Sequence, residues 1–200
     1  MGHSQTQKSK NHDRIVRTAA KRFRQRGLEG VGIADLMKEV GLTVGGFYKH
    51  FDSREDLVVE ALRSALGSLR RQAKAAASGG SPLIYANVVD NYLSEAHRDH
   101  PGTGCPVGAL AGEIARGGKR TRALLTEEIR TSLRLIVDLI PSRDEGQPRS
   151  TAILTYSALV GAIGLARVVS DQALSREILK SVSELLKKTV GDDGENEIQQ

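Results

Sequence analysis

Two hundred residues suffice for one large domain or two small ones, and with 4% aromatic residues, no Trp and a core left to Ala, Leu, Val and Ile, packed helices are favoured over a strand sandwich. One Cys excludes an internal disulfide, and the absence of both a signal-peptide apolar run and about 18 uninterrupted apolar residues leads us to expect a soluble, cytoplasmic chain. Charge is uneven: residues 1–74 hold 15 Lys+Arg against 8 Asp+Glu, whereas residues 75–200 hold 14 against 16, so a basic end suited to a polyanion, or merely a basic solvated surface, precedes a slightly acidic remainder.

Residues 1–8 read as disordered. Over 10–26, Ile15, Ala19 and Phe23 recur every fourth position with Val16 and Ala20 beside them, which is one face of a helix, and Gly27 follows a basic last turn as a stop. A second helix is predicted over 33–40 from Ile33, Leu36, Met37 and Val40, closed by Gly41. A third, very short one covers 43–50. Ser53 opens a fourth, with Asp56 three positions on as an S-x-x-D capping box, and it runs to about residue 77. SGGSP (78–82) is a break. Further helices are expected at 83–98, 106–117, 119–140, 151–169 and 172–190, with a two-proline loop at 141–150 and a polar, frayed tail over 191–200. The fold class is therefore all-α, about nine helices, without a convincing strand.

Residues 33–51 form a helix-turn-helix pattern, whose second helix in such motifs enters the major groove of DNA. In GLTVGGFYKHF (41–51), Phe47 and Phe51 are placed to anchor that helix to the first two. Paired glycines cost a helix about 1 kcal/mol each relative to Ala, which needs a reason. Gly45 and Gly46 make a thin wall through which the backbone approaches phosphates or base edges. Tyr48, Lys49 and His50 lie beyond them and carry a hydroxyl, an ammonium and an imidazole, all donors to phosphate oxygens; Arg54 adds a cation at the start of the fourth helix. His50 reads either as a DNA contact or as a helix-end residue.

The run RIVRTAAKRFRQRGLEGVGIADLMKEVGLTVGGFYKHFDSREDLVVEAL (14–62) resembles the DNA-binding domain of the tetracycline-repressor (TetR) family. The matching features are A-x-x-x-F in helix one, the G-h-T-x-G-x-F/L-Y-x-H-F recognition helix and the D/S-K/R-E-x-L opening of helix four. The resemblance implies Thr43, Gly45 and Gly46 near the groove floor, and phosphate contacts from Tyr48, Lys49, His50 and Arg54. Two positions depart from the pattern. Gly32 stands where members often have a capping Ser or Thr, and Val44 stands where a base-reading polar residue is common. Valine offers a base edge no hydrogen bond; it touches a thymine methyl or packs.

The resemblance further implies a helix-turn-helix head (1–54), a helical effector-binding and dimerising body (55–190), and a dimer on a palindromic operator. From the residues themselves, 151–169 is apolar around most of its circumference, and 172–190 carries Leu174, Ile178, Leu179, Val182, Leu185 and Leu186. Helices apolar on more than one side must bury more than one side, in a homodimeric four-helix bundle or in the monomer core. The segment G-C-P-V-G-A-L-A-G-E (104–113) is similar to one in a branch of the family. Cys105, just before a helix opened by Pro106, reads either as a sensor of oxidants or electrophiles or as a small buried apolar residue. His97, His100 and Cys105 lack the partner that would complete a tetrahedral metal set, so no metal and no cofactor is expected. No nucleotide loop or catalytic triad is legible. The expected function is a DNA-binding transcriptional regulator, a repressor of neighbouring genes released by a small-molecule or electrophile effector; the alternative is a helical protein-interaction module with a basic head.

Overall fold

Apolar residues at helical spacing dominate the chain, and every regular element described in the computed structural model is helical. The structure describes residues 2–78, 84–140 and 148–191; the predicted break at 78–82 from its second residue on, most of the 141–150 loop and the tail from 192 lie outside these residues. Among the described residues are nine α-helices: α1 (Gly2–Arg26), α2 (Ile33–Glu39), α3 (Arg54–Ser78), α4 (Tyr85–Tyr92), α5 (Glu95–Asp99), α6 (Pro106–Ala115), α7 (Lys119–Leu139), α8 (Pro148–Val168) and α9 (Gln172–Gly191). Two short 3-10 segments, Val44–Lys49 and Pro101–Thr103, complete the order. Two compact units result. One takes the residues up to Arg71 together with His100–Thr126; the other takes Gln72–Asp99 and the chain from Glu127 onward.

In the first unit, Ile15, Ala19 and Phe23 of α1 are buried, as their spacing predicts, and so are Leu36 and Met37 of α2 and Leu57, Ala61 and Leu62 of α3. The predicted disorder of residues 1–8 is corrected: α1 starts at Gly2. No proline interrupts this stretch, and Gln7 Nε2 donates to Asn11 Oδ1 at 3.1 Å one turn on, so a polar segment continues a helix nucleated by the apolar stripe behind it. α1 ends at Gly27, whose φ of 79° suits glycine and whose amide bonds the Phe23 carbonyl at 2.8 Å. α2 ends in a Schellman arrangement: Leu42 N–H to Met37 O at 2.8 Å and Gly41 N–H to Lys38 O at 3.0 Å, with Gly41 at φ 67°. Ser53 caps α3 by accepting from the Asp56 amide at 3.1 Å. The Asp56 carboxylate takes the Ser53 hydroxyl at 2.7 Å and Arg120 Nη1 at 2.6 Å.

In the second unit, Tyr85, Val89, Leu133, Ile136, Leu159, Ile163, Leu179 and Leu186 form the core. The predicted single helix over 83–98 is corrected to two, α4 and α5. Ser94 Oγ accepts from the His97 amide at 3.1 Å and donates to the Asn91 carbonyl at 2.9 Å, so it caps a new helix instead of continuing the old one. Buried polar groups are paired across elements: Tyr85 hydroxyl with Thr155 Oγ1 at 2.8 Å, and Arg98 Nη1 with Ser175 Oγ at 3.1 Å. α8 starts at Pro148, three residues before its predicted start, with proline at home in the first turn. It is long and apolar enough to cross a membrane by length and composition, but its Ala152, Leu159, Ala162, Ile163 and Ala166 stripe is packed in this core.

Candidate nucleic-acid interface

The segment after Gly41 is too short and too glycine-rich for an α-helix to hold without tertiary help. It winds as a 3-10 helix over Val44–Lys49, with Gly46 N–H on Thr43 O at 2.9 Å and His50 N–H on Phe47 O at 2.8 Å. Phe47 and Phe51 are buried, their rings 5.3 Å apart; Phe51 lies against His12 of α1, and the segment packs on α2. Burying each such ring stabilises the unit by about 1.5–3 kcal/mol.

With that face fixed, the opposite one is set. Thr43, Val44, Gly45, Tyr48 and Lys49 are all exposed, Tyr48 at 69% and Val44 at 49% of their full areas. Gly45 has ordinary backbone dihedrals for any residue, and a Cβ built on it would meet nothing within 4 Å. Neither backbone conformation nor internal crowding therefore requires glycine there. A Cβ on Gly46 would make only ordinary contacts, with Thr43 Oγ1 at 3.6 Å and Met37 Cε at 3.7 Å.

Two of the sequence-derived donors sit differently from the rest. The Arg54 guanidinium turns inward, donating to the Leu28 carbonyl, to the Val31 carbonyl at 3.5 Å and to Glu29 Oε1 at 3.4 Å, with its Cζ 6.0 Å over the Phe23 ring. It clamps the α1–α2 connection to α3. His50 is half-buried, with Nδ1 shielded and without a hydrogen-bond partner among the described residues, and burial, then His12, Lys8 and Lys49, hold it below its ordinary pKa.

Those neighbours expose what the sequence reading missed. Gln5, Lys8, Ser9 and His12 of α1 stand beside Lys49 and His50 around one open pocket. His12 stacks on Phe51 at 4.7 Å and pairs through Nε2 with Glu60 Oε2 at 2.7 Å. The signal was present as an i, i+3, i+4, i+7 spacing of polar residues, which an expectation of disorder passes over.

Gly32 caps α2 with no side chain to offer, at φ −75° and ψ 146°. Cys105, at the N-cap of α6, is half-buried, and close by in sequence the Gly102 carbonyl accepts from Arg24 Nε at 3.0 Å. Among the described residues no three His, Cys, Asp or Glu side chains converge as a metal set.

Comparison with known proteins places these features in a family. The family described as "Bacterial regulatory proteins, tetR family" matches residues 15–61. An HTH-type transcriptional regulator of Mycobacterium tuberculosis is 30% identical over 172 residues, 80% of this chain and 85% of that protein. The HTH-type transcriptional repressor KstR2 of Rhodococcus jostii is 37% identical over 62 residues, 31% of this chain and 30% of its own length. The solved structure of a TetR-family regulator from Cytophaga hutchinsonii, 21% identical, matches with a TM-score of 0.75 over 90% of this chain and 94% of that one. This chain, an all-α protein with a helix-turn-helix head and a helical body, belongs to the TetR family of bacterial regulators.

Proposed function

We propose that the protein is a cytoplasmic, homodimeric repressor that binds a palindromic operator through Thr43, Val44, Gly45, Gly46, Tyr48, Lys49 and His50 and is released by an effector bound in its body. The observation that carries this reading is Gly45: a glycine that costs about 1 kcal/mol of helix stability and that neither dihedral strain nor internal packing requires. Its bareness serves an approach from outside, with the exposed Tyr48 and Lys49 as phosphate donors alongside. Arg54 acts by positioning, holding the α1–α2 connection against α3. The match to a repressor over the head supports repression. No catalytic residue is assigned.

The head is taken as 1–54 and the body as 55–190. Dimerisation is assigned to α8 and α9. Leu154, Leu165 and Val168 are exposed on α8, with Gly161 and Gly164 open between them, and Leu174 and Leu185 are exposed on α9. Apolar side chains left bare at helical spacing on neighbouring helices fit a second copy of the same pair. Effector and operator then compete through their different affinities for two head spacings.

We assign the chain, on the resemblance of its G-C-P-x-G-x-L-A-x-E segment, to one branch of the family, with Cys105 as its candidate sensor. The half-buried place of Cys105 at the N-cap of α6 is what supports that reading. Oxidant or electrophile treatment is expected to lower operator affinity of the native chain and not of Cys105→Ser; equal loss in both makes the cysteine structural. The DNA reading itself is tested by selecting duplexes from a random pool. Enrichment of a two-fold symmetric site supports it, and retention of no sequence over random competitor overturns it.

A further inference from the structure

α1 runs more than three turns beyond Ile15, where the family match begins. Along that extension Gln5, Lys8, Ser9 and His12 share one face, and with Lys49 and His50 of the recognition segment they enclose an open pocket of about 350 Å³. Each lining side chain offers a hydrogen-bond donor or a basic nitrogen, and none is an acid. The nearest carboxylate contact, Glu60 on His12, steadies that ring against Phe51.

We propose that this pocket seats one phosphate of the DNA backbone, so that the polar start of α1 extends the interface past the recognition segment. The proposal rests on the DNA reading above and deepens it by naming a further contact, with Lys8 and Lys49 as the paired cations, Ser9 and Gln5 as neutral donors, and His50 donating through Nε2. Nδ1 of His50 is shielded and has no partner among the described residues, which leaves Nε2 as that ring's working atom. Lys8 and Lys49 bring two cations to a pocket with no acid in its lining, and an anion seated between them is what their charges favour.

The test uses the full-length dimer, a labelled duplex recovered from a random pool and a random-sequence duplex, titrated between about 50 and about 200 mM salt. Lys8→Gln is expected to weaken both duplexes by the same factor and to make the salt slope shallower by about 0.9, one phosphate's worth of released counterion. Lys8→Arg is expected to restore binding, and helix content by circular dichroism to stay unchanged in both, since Lys8 is exposed. If Lys8→Gln changes neither affinity nor slope while Lys49→Gln weakens binding, the pocket is not a phosphate seat and the DNA reading stands. If neither variant has an effect, the assignment of this face of the head to DNA falls with the pocket, and failure to recover any duplex from the pool is what overturns the DNA reading itself. A parallel arm follows the His12 and His50 ring signals: movement on adding duplex but not on adding millimolar inorganic phosphate is expected, and saturation by inorganic phosphate alone overturns the backbone assignment in favour of a free-anion site.

Discussion

The Glu113 carboxylate accepts the Leu28 amide at 2.7 Å with one oxygen, and its other oxygen stands 2.7 Å from where a Cβ on Gly27 would lie. The last residue of G-C-P-V-G-A-L-A-G-E therefore grips the end of α1. Arg24 makes a second link by donating to Gly102, and a Cβ on Gly102 would collide with Gln25 at 2.9 Å. The distinctive segment of the sequence is a docking piece as well as the carrier of Cys105. Gly27→Ala faces both a left-handed φ, costing about 1–2 kcal/mol, and the displaced carboxylate. Glu113→Ala is expected to cost about 1–3 kcal/mol in urea unfolding, and Glu113→Gln much less, because the amide oxygen still accepts.

Tyr48 is exposed and assigned to phosphate, so Tyr48→Phe removes one donor and nothing from the core. Competition titrations are expected to show weaker binding to every duplex by a common factor. A change in base preference with affinity otherwise intact contradicts the assignment.

For the dimer, Leu154→Asp with Leu165→Asp places charge on the bare face of α8 without touching buried positions. Sedimentation equilibrium is expected to show folded monomers, and operator affinity to fall far more than affinity for random duplex, since pairing of half-sites is lost. Persistence of the dimer moves the interface elsewhere.

Burial, above all, holds His97 below its ordinary pKa, opposed by the bond between its Nδ1 and the Tyr92 carbonyl at 2.6 Å. The unfolded chain then binds a proton near pH 6.5 that the folded chain refuses, so stability falls as pH drops from about 7 through that range. His50 contributes with the same sign. His97→Asn, which keeps a donor near the Nδ1 position, is expected to flatten the dependence in urea unfolding followed between neutral and mildly acidic pH. An unchanged slope contradicts it.

Much of the head was legible because its helix ends are written in single residues: Gly27 and Gly41 at positive φ, Ser53 with Asp56 at a cap. The 3.6-residue period gave the buried faces of α1 and α2 for the same local reason. What was not legible depends on contacts distant in sequence. Arg54 is close enough to the recognition segment to suggest phosphate, but carbonyls 23 and 26 residues away draw it inward. The helical start of α1 depends on the stripe behind it, and Glu113 gains its role only by meeting Leu28. Ser94 is the exception: a local cap with its signal in plain view, passed over because apolar residues continue on both sides.

The most direct measurement is on Gly45→Leu, with stability and DNA affinity determined on the same protein. A Cβ there meets nothing within 4 Å, Gly45 is exposed, and leucine raises helix propensity, so the melting temperature is expected to hold or rise, while operator affinity falls at least about tenfold, the equivalent of 1.4 kcal/mol. A stable Gly45→Leu protein that binds its operator as tightly as the native chain contradicts the account.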